Sequence, residues 1–90
     1  MIYELYTLPS CEKCTEVKKL LKELRIAYRE ISLVDREGMN AFRKVYAESK
    51  ELIERGTDKI VLFPLLVKRG DSGIEKISQG TERVRELLSA

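Results

Sequence analysis

The spacing of apolar residues changes several times along the chain, and each change marks an element. Residues 2–6 are short, β-branched and aromatic and run into Thr7-Leu8-Pro9-Ser10, which reads as a first strand closed by a turn. Over 12–25 the period lengthens. Val17, Leu20, Leu21 and Leu24 recur at i, i+3, i+4 and i+7, one face of an amphipathic helix with Lys18, Lys19, Lys22 and Glu23 on its wet side. Residues 27–33 alternate as a second strand. A second helix is expected over 38–55, with Phe42, Val45, Tyr46, Leu52 and Ile53 on its inner face and Gly56 as its C-cap. Residues 60–67 are almost continuously apolar, the pattern of a strand covered on both faces. Arg69-Gly70-Asp71-Ser72-Gly73 carries turn chemistry, so 74–78 pairs back as a fourth strand. The last helix spans 81–89, with Thr81 as its N-cap and Val84, Leu87 and Leu88 pointing inward.

The order β-α-β-α-β-β-α belongs to the α/β class. A βαβ unit followed by a helix and a hairpin builds a four-stranded mixed sheet flanked by helices. No repeat, linker or low-complexity segment interrupts it, and 90 residues suit a single domain over 1–90. With 43% hydrophobic and 36% charged residues the chain is composed to fold rather than to stay disordered. Its 17 basic and 15 acidic residues are mixed, with no long block of one sign, so no nucleic-acid partner is expected. No stretch approaches the length of a membrane span, and Glu4 sits where a secretion signal needs an apolar core. The expectation is a cytoplasmic protein without a membrane partner.

That compartment gives meaning to the two cysteines, because a thiol pair in a reducing environment is more often catalytic or metal-binding than structural. Cys11-Glu12-Lys13-Cys14 lies where the first strand hands over to the first helix. Cys11 falls at or just before the helix start, near unpaired backbone N–H groups that favour a thiolate. A favourable placement of this kind is worth up to about 2 kcal/mol, enough to move a thiol from about 8.5 toward 7. Cys14 follows one turn later, within reach of Cys11 but deeper. The asymmetry assigns Cys11 the attack on a substrate disulfide and Cys14 the resolution of the mixed disulfide. Lys13 supports the thiolate and Glu12 opposes it.

Other uses of the pair are open to the same residues. A structural bridge across so short a loop gains little entropy. A zinc site needs four ligands, yet the chain has no His and no further Cys, so two chains would have to pool their pairs. Buried free cysteines can also serve packing alone. Lys18, Lys19 and Lys22 either steer acidic partners or form a solvated helix face.

Tyr6-Thr7-Leu8-Pro9-Ser10-Cys11-Glu12-Lys13-Cys14, Phe63-Pro64-Leu65-Leu66-Val67 and Ser78-Gln79-Gly80-Thr81 together resemble a glutaredoxin-like member of the thioredoxin superfamily, over essentially the whole length. The resemblance implies a thioredoxin-like fold and a dithiol thiol–disulfide oxidoreductase, an electron carrier reducing protein or low-molecular-weight disulfides. It implies that Phe63–Pro64 is cis and binds substrate through the main chain of Phe63. It implies that Gly80 and Thr81, with Glu82, form a seat for the glutathione carboxylate; by their residues alone they are equally an ordinary turn and N-cap. No bound cofactor is implied, and glutathione enters as a reductant. The expected partners are disulfide-bearing proteins and an electron donor, either glutathione or a reductase, acting on a monomer. The alternatives are a metal or iron–sulfur binding module using Cys11, and a redox sensor.

The chain departs from that family at several positions. Glutaredoxins resemble Cys-Pro-Tyr-Cys where this chain has Glu12 and Lys13. Leu8 replaces a lysine, and a glycine pair is reduced to Gly80. Residues 38–59 run longer than in compact members. The opening Cys-x-x-Cys helix is also similar to arsenate-reductase-like proteins, which are longer.

Because the charges of Glu12 and Lys13 offset each other, the expected poise is reducing to neutral. Equilibration against a glutathione or dithiothreitol buffer should give a reduction potential more negative than about −150 mV, whereas strong oxidants lie near −120 mV.

Overall fold

The structure, a computed structural model, describes residues 2–56 and 61–89. The elements are β1 (Ile2–Thr7), α1 (Glu12–Glu23), β2 (Arg29–Ser32), α2 (Arg36–Ser49), β3 (Leu65–Gly70), β4 (Gly73–Gln79) and α3 (Thr81–Ser89). The strands form one mixed sheet in the order β2-β1-β3-β4. β1 runs parallel to β2 and antiparallel to β3, and β3 pairs antiparallel with β4. This is the architecture the hydrophobic pattern implies.

Strand alternation divides the apolar side chains into two cores. Leu5 and Leu66 face α1 and α3, where Val17, Leu21 and Val84 complete a cluster. Tyr6, Leu65 and Val67 face the other way, onto Ile31, Ile53 and Val45 of α2. The two central strands are therefore covered on both sides, which explains the near-continuous apolar run of β3.

Several boundaries differ from the sequence reading. α1 stops at Glu23, and Arg25 takes a left-handed conformation (φ 56°). Arg25 N–H donates to Lys22 O at 3.1 Å and Ile26 N–H to Leu21 O at 3.0 Å, the paired bonds of a Schellman end. The chain turns there, so Leu24 is 46% exposed instead of facing the core. β2 is confined to four residues. α2 begins at Arg36, ends at Ser49 and tightens into a 3-10 turn at Lys50–Leu52, so Gly56 is no C-cap and Leu52 is half exposed. Arg55 instead bridges Val61 as an isolated antiparallel pair. The third strand starts at Leu65, not at Ile60, a residue that lies outside the described ones. Pro64 has no N–H to give a ladder, and Val61 and Leu62 meet Arg55 and Glu54 instead. Among the described residues no helix is long and apolar enough to cross a membrane.

Two features of the α2 face can be tested. Gly38 is buried against the end of β2, and a Cβ there would lie 1.9 Å from the Ser32 carbonyl oxygen. Gly38→Ala should lower the unfolding free energy by about 2 kcal/mol, the scale of overpacking, read as a fall in urea midpoint at constant slope.

Tyr6 is buried, and its hydroxyl donates to Glu4 Oε1 at 3.5 Å, an oxygen that also accepts from Arg69 Nε at 2.7 Å. Burial, then the charge of Glu4, pushes the phenol up to about 12, against the opposing pull of Arg69. The unfolded phenol loses its proton near 10, so the stabilisation is full below that pH. It is lost as pH rises toward about 12. Denaturant midpoints measured across that window should fall less steeply in Tyr6→Phe than in the wild type.

Candidate active site

Strand register gathers the segments that the sequence separates. Tyr6 lies opposite Leu65, and Leu65 opposite Gln79. From these three aligned residues the chain continues, at one end of the sheet, to the Cys11 turn, back to Pro64 and on to Gly80. The Gly80 N–H donates to the Pro64 carbonyl at 2.9 Å. The Phe63–Pro64 peptide is cis.

Cys11 is the N-cap of α1, with extended backbone (φ −99°, ψ 107°), and its Sγ accepts the Cys14 N–H at 3.1 Å. The turn before it is set by Ser10, a non-glycine residue held in the left-handed region at φ 54°. The Cys11 carbonyl accepts from Thr15 N–H at 3.2 Å and from Thr15 Oγ1 at 3.3 Å, so both ends of the residue are fixed. Cys11 and Cys14 are joined as a disulfide, their Cα atoms 5.2 Å apart. Cys14 is buried at 2% exposure, among the core residues, while Cys11 is only partly covered. One sulfur is thus open to an incoming group and the other is sheltered behind it.

Two clefts flank the pair. One, of about 580 Å³, separates the starts of α1 and α3 and is lined by Glu12, Lys13, Glu16, Gly80, Thr81 and Arg83. Lys13 has no ion-pair partner among the described residues. The other, of about 520 Å³, opens toward β2 and is lined by both cysteines with Thr7, Thr15, Lys18 and Glu30. Thr7 is 3% exposed and donates from Oγ1 to Glu30 Oε2 at 3.2 Å, the oxygen that Lys18 Nζ reaches at 3.3 Å. Lys18 thus makes an exposed ion pair with Glu30 on the solvated face of α1.

Thr81 is not the N-cap of α3. The Gly80 carbonyl accepts the Val84 N–H at 3.1 Å, which makes Gly80, at φ 85°, the cap position. The Thr81 hydroxyl donates across the cleft to Glu16 Oε2 at 3.4 Å.

Phe63 is partly buried in an aromatic chain. Its ring lies 5.7 Å from that of Phe42, which stands 5.9 Å from Tyr6 and 6.2 Å from Tyr46. Arg55 lies over the Tyr46 ring at 5.2 Å, and its hydrogen bond holds the Tyr46 phenol below the ordinary tyrosine range. The stretch from Phe42 to Arg55 thus carries aromatic support for the Phe63 segment. Sequence reasoning assigned no role to Ser10, Thr7, Glu30 or Gln79. A polar residue at a strand end reads as turn chemistry, and no periodicity reveals that Thr7 and Gln79 fold inward while Ser10 and Glu30 stay exposed.

The family model for glutaredoxin matches residues 3–71. The crystal structure of the thioredoxin-like protein BC3987 superposes with a TM-score of 0.63 at 23% identity, covering 97% of this chain and 96% of that one. The crystal structure of a mutant of the same protein gives 0.59 at 25% identity, covering 96% and 97%. These likenesses establish the fold. No curated protein matches the chain.

Proposed function

This chain belongs to the glutaredoxin family, and from that premise we propose that it is a dithiol thiol–disulfide oxidoreductase of the cytoplasm, reducing disulfides of proteins or small molecules. The carrying observation is the asymmetry of the pair: Cys11 at a helix start with its sulfur accepting a main-chain N–H, Cys14 sealed behind it. An N–H aimed at sulfur and the positive end of α1 both favour the Cys11 thiolate. Lys13 adds a positive charge at the rim.

In the forward direction the Cys11 thiolate attacks one sulfur of the substrate disulfide. A Cys11–substrate disulfide forms, and the other substrate sulfur leaves as a thiolate and takes a proton. Cys14, deprotonated, then attacks Cys11 Sγ and expels the second substrate thiolate. Two electrons have passed to the substrate, and the Cys11–Cys14 disulfide remains. An outside dithiol or two molecules of a monothiol such as glutathione restore the pair.

The main chain of Phe63, beside Pro64, is the proposed docking strand for substrate. Gly80 and Thr81 are the proposed seat for a carboxylate of glutathione, since a helix start offers N–H groups to an anion. Glu16, which already takes the Thr81 hydroxyl, competes there. A protein donor is therefore the expected partner, with glutathione a slower one.

Insulin-disulfide reduction with dithiothreitol, and separately with glutathione, tests the assignment. Cys11→Ser should abolish turnover, and Cys14→Ser should accumulate a mixed disulfide visible by mass spectrometry. Turnover that survives in Cys11→Ser would reverse the roles.

A further inference from the structure

The described residues of the segment that leads into Phe63–Pro64 belong to no strand of the sheet. Among the described residues its two arms are tied by the Arg55–Val61 bridge and by Leu62 N–H donating to Glu54 O at 3.4 Å. Beyond the apolar packing of Ile53, Val61 and Phe63, among the described residues one buried side chain ties it to the end of β4 by hydrogen bonds. Gln79, the last residue of β4, is 5% exposed. Its Oε1 accepts the Glu54 N–H at 2.6 Å, and its Nε2 donates to Glu54 O at 2.9 Å and to Leu62 O at 3.0 Å.

This amide acts as a main-chain unit would. It exchanges a donor and an acceptor with Glu54, as paired strand residues do, and gives its second N–H to the residue just before Phe63. Arg83 of α3 reaches the same Glu54 from the outside through an ion pair with its carboxylate. Around the site the main-chain groups of Leu62 and the carbonyl of Pro64 are all taken, the last by Gly80 N–H. The N–H and C=O of Phe63 have no partner among the described residues. They are the pair that an extended backbone can add to, in the manner of a strand joining a sheet edge. Their direction depends on where Leu62 is held, and Gln79 holds both the Leu62 carbonyl and the Glu54 carbonyl that takes the Leu62 N–H.

We propose that Gln79 is a positioning residue that aims the main chain of Phe63 at an incoming backbone, so that the protein prefers disulfides carried on extended peptides to small disulfides. The proposal rests on the oxidoreductase reading above. A small disulfide needs only the Cys11 sulfur, whereas a peptide also needs the aligned N–H and C=O. Gln79→Met, close in size but without the three hydrogen bonds, separates the two demands.

The test uses the full chain, reduced beforehand, in stopped-flow reactions with a short extended peptide disulfide lacking acidic residues and with bis(2-hydroxyethyl) disulfide. Gln79→Met should raise the half-saturating peptide concentration about tenfold, the loss of roughly one to two net hydrogen bonds, with little change in limiting rate. Its reaction with the small disulfide and the pH profile of Cys11 alkylation should match the wild type. Hydrogen exchange at Leu62 should quicken. Arg83→Ala, an exposed change that leaves the core intact, should shift the peptide response in the same direction by less, and it decides the matter if Gln79→Met does not fold. Equal losses on both disulfides, or none on either, would overturn the proposal while leaving the oxidoreductase reading in place. A wild-type protein that reduces neither disulfide would instead overturn that reading.

Discussion

The antiparallel pairing of β1 with β3, Tyr6 opposite Leu65, is the constraint on which the rest of the molecule depends. Alternate side chains of a strand face opposite ways, so a slip of one residue would exchange the contents of the two cores. The Tyr6 ring would leave the α2 side and the Glu4–Arg69 pair would part. The same register sets the carboxyl end of β1 beside the amino end of β3. The turn that carries Cys11 and the bend at Pro64 are neighbours for that reason. Hydrophobic burial, which is blind to chemistry, thereby fixes the spacing of the groups that react.

Much of this was legible in the residues, and the parts that were not share a cause. Strand and helix order, the two-sided burial of β3 and the Cys11 cap follow from periodicity and from elementary rules of helix ends. The apolar periodicity points Leu24 and Leu52 inward because it continues past the point where each helix stops. Arg25 ends α1 in a conformation usually given to glycine, and nothing in its side chain announces that. The break of α2 at Ser49 is decided by where Ile53 must reach the core and where Arg55 meets Val61. That Gln79 and Thr7 line the clefts beside the cysteines is not legible in the sequence, because a buried polar group makes sense only once its partners are known.

The charged residues, more than a third of the chain, include several that work as ties between distant elements. Lys18 joins α1 to β2 through Glu30, Arg69 joins β3 to β1 through Glu4, and Arg83 joins α3 to the segment before Phe63 through Glu54. Exposed pairs of this kind contribute little stability one by one. Their value here is orientation, since each one favours a particular placement of a loop or helix over the sheet. Of these three pairs, Arg69–Glu4 is the most sheltered, and it lies against Tyr6, away from the cysteines.

The order β2-β1-β3-β4 leaves the sheet with two open borders, and both are poor templates for aggregation. β2 is four residues long and presents Arg29 and Glu30 to solvent. β4 exposes Glu75 and Lys76 next to the register shift at Lys68 and Arg69. Short length, charge and an irregular ladder are the devices by which native sheets avoid recruiting a strand from another copy. The proposed docking of foreign chains on the main chain of Phe63 gives these devices a further use: they would confine adhesiveness to one end of the sheet and leave its sides inert.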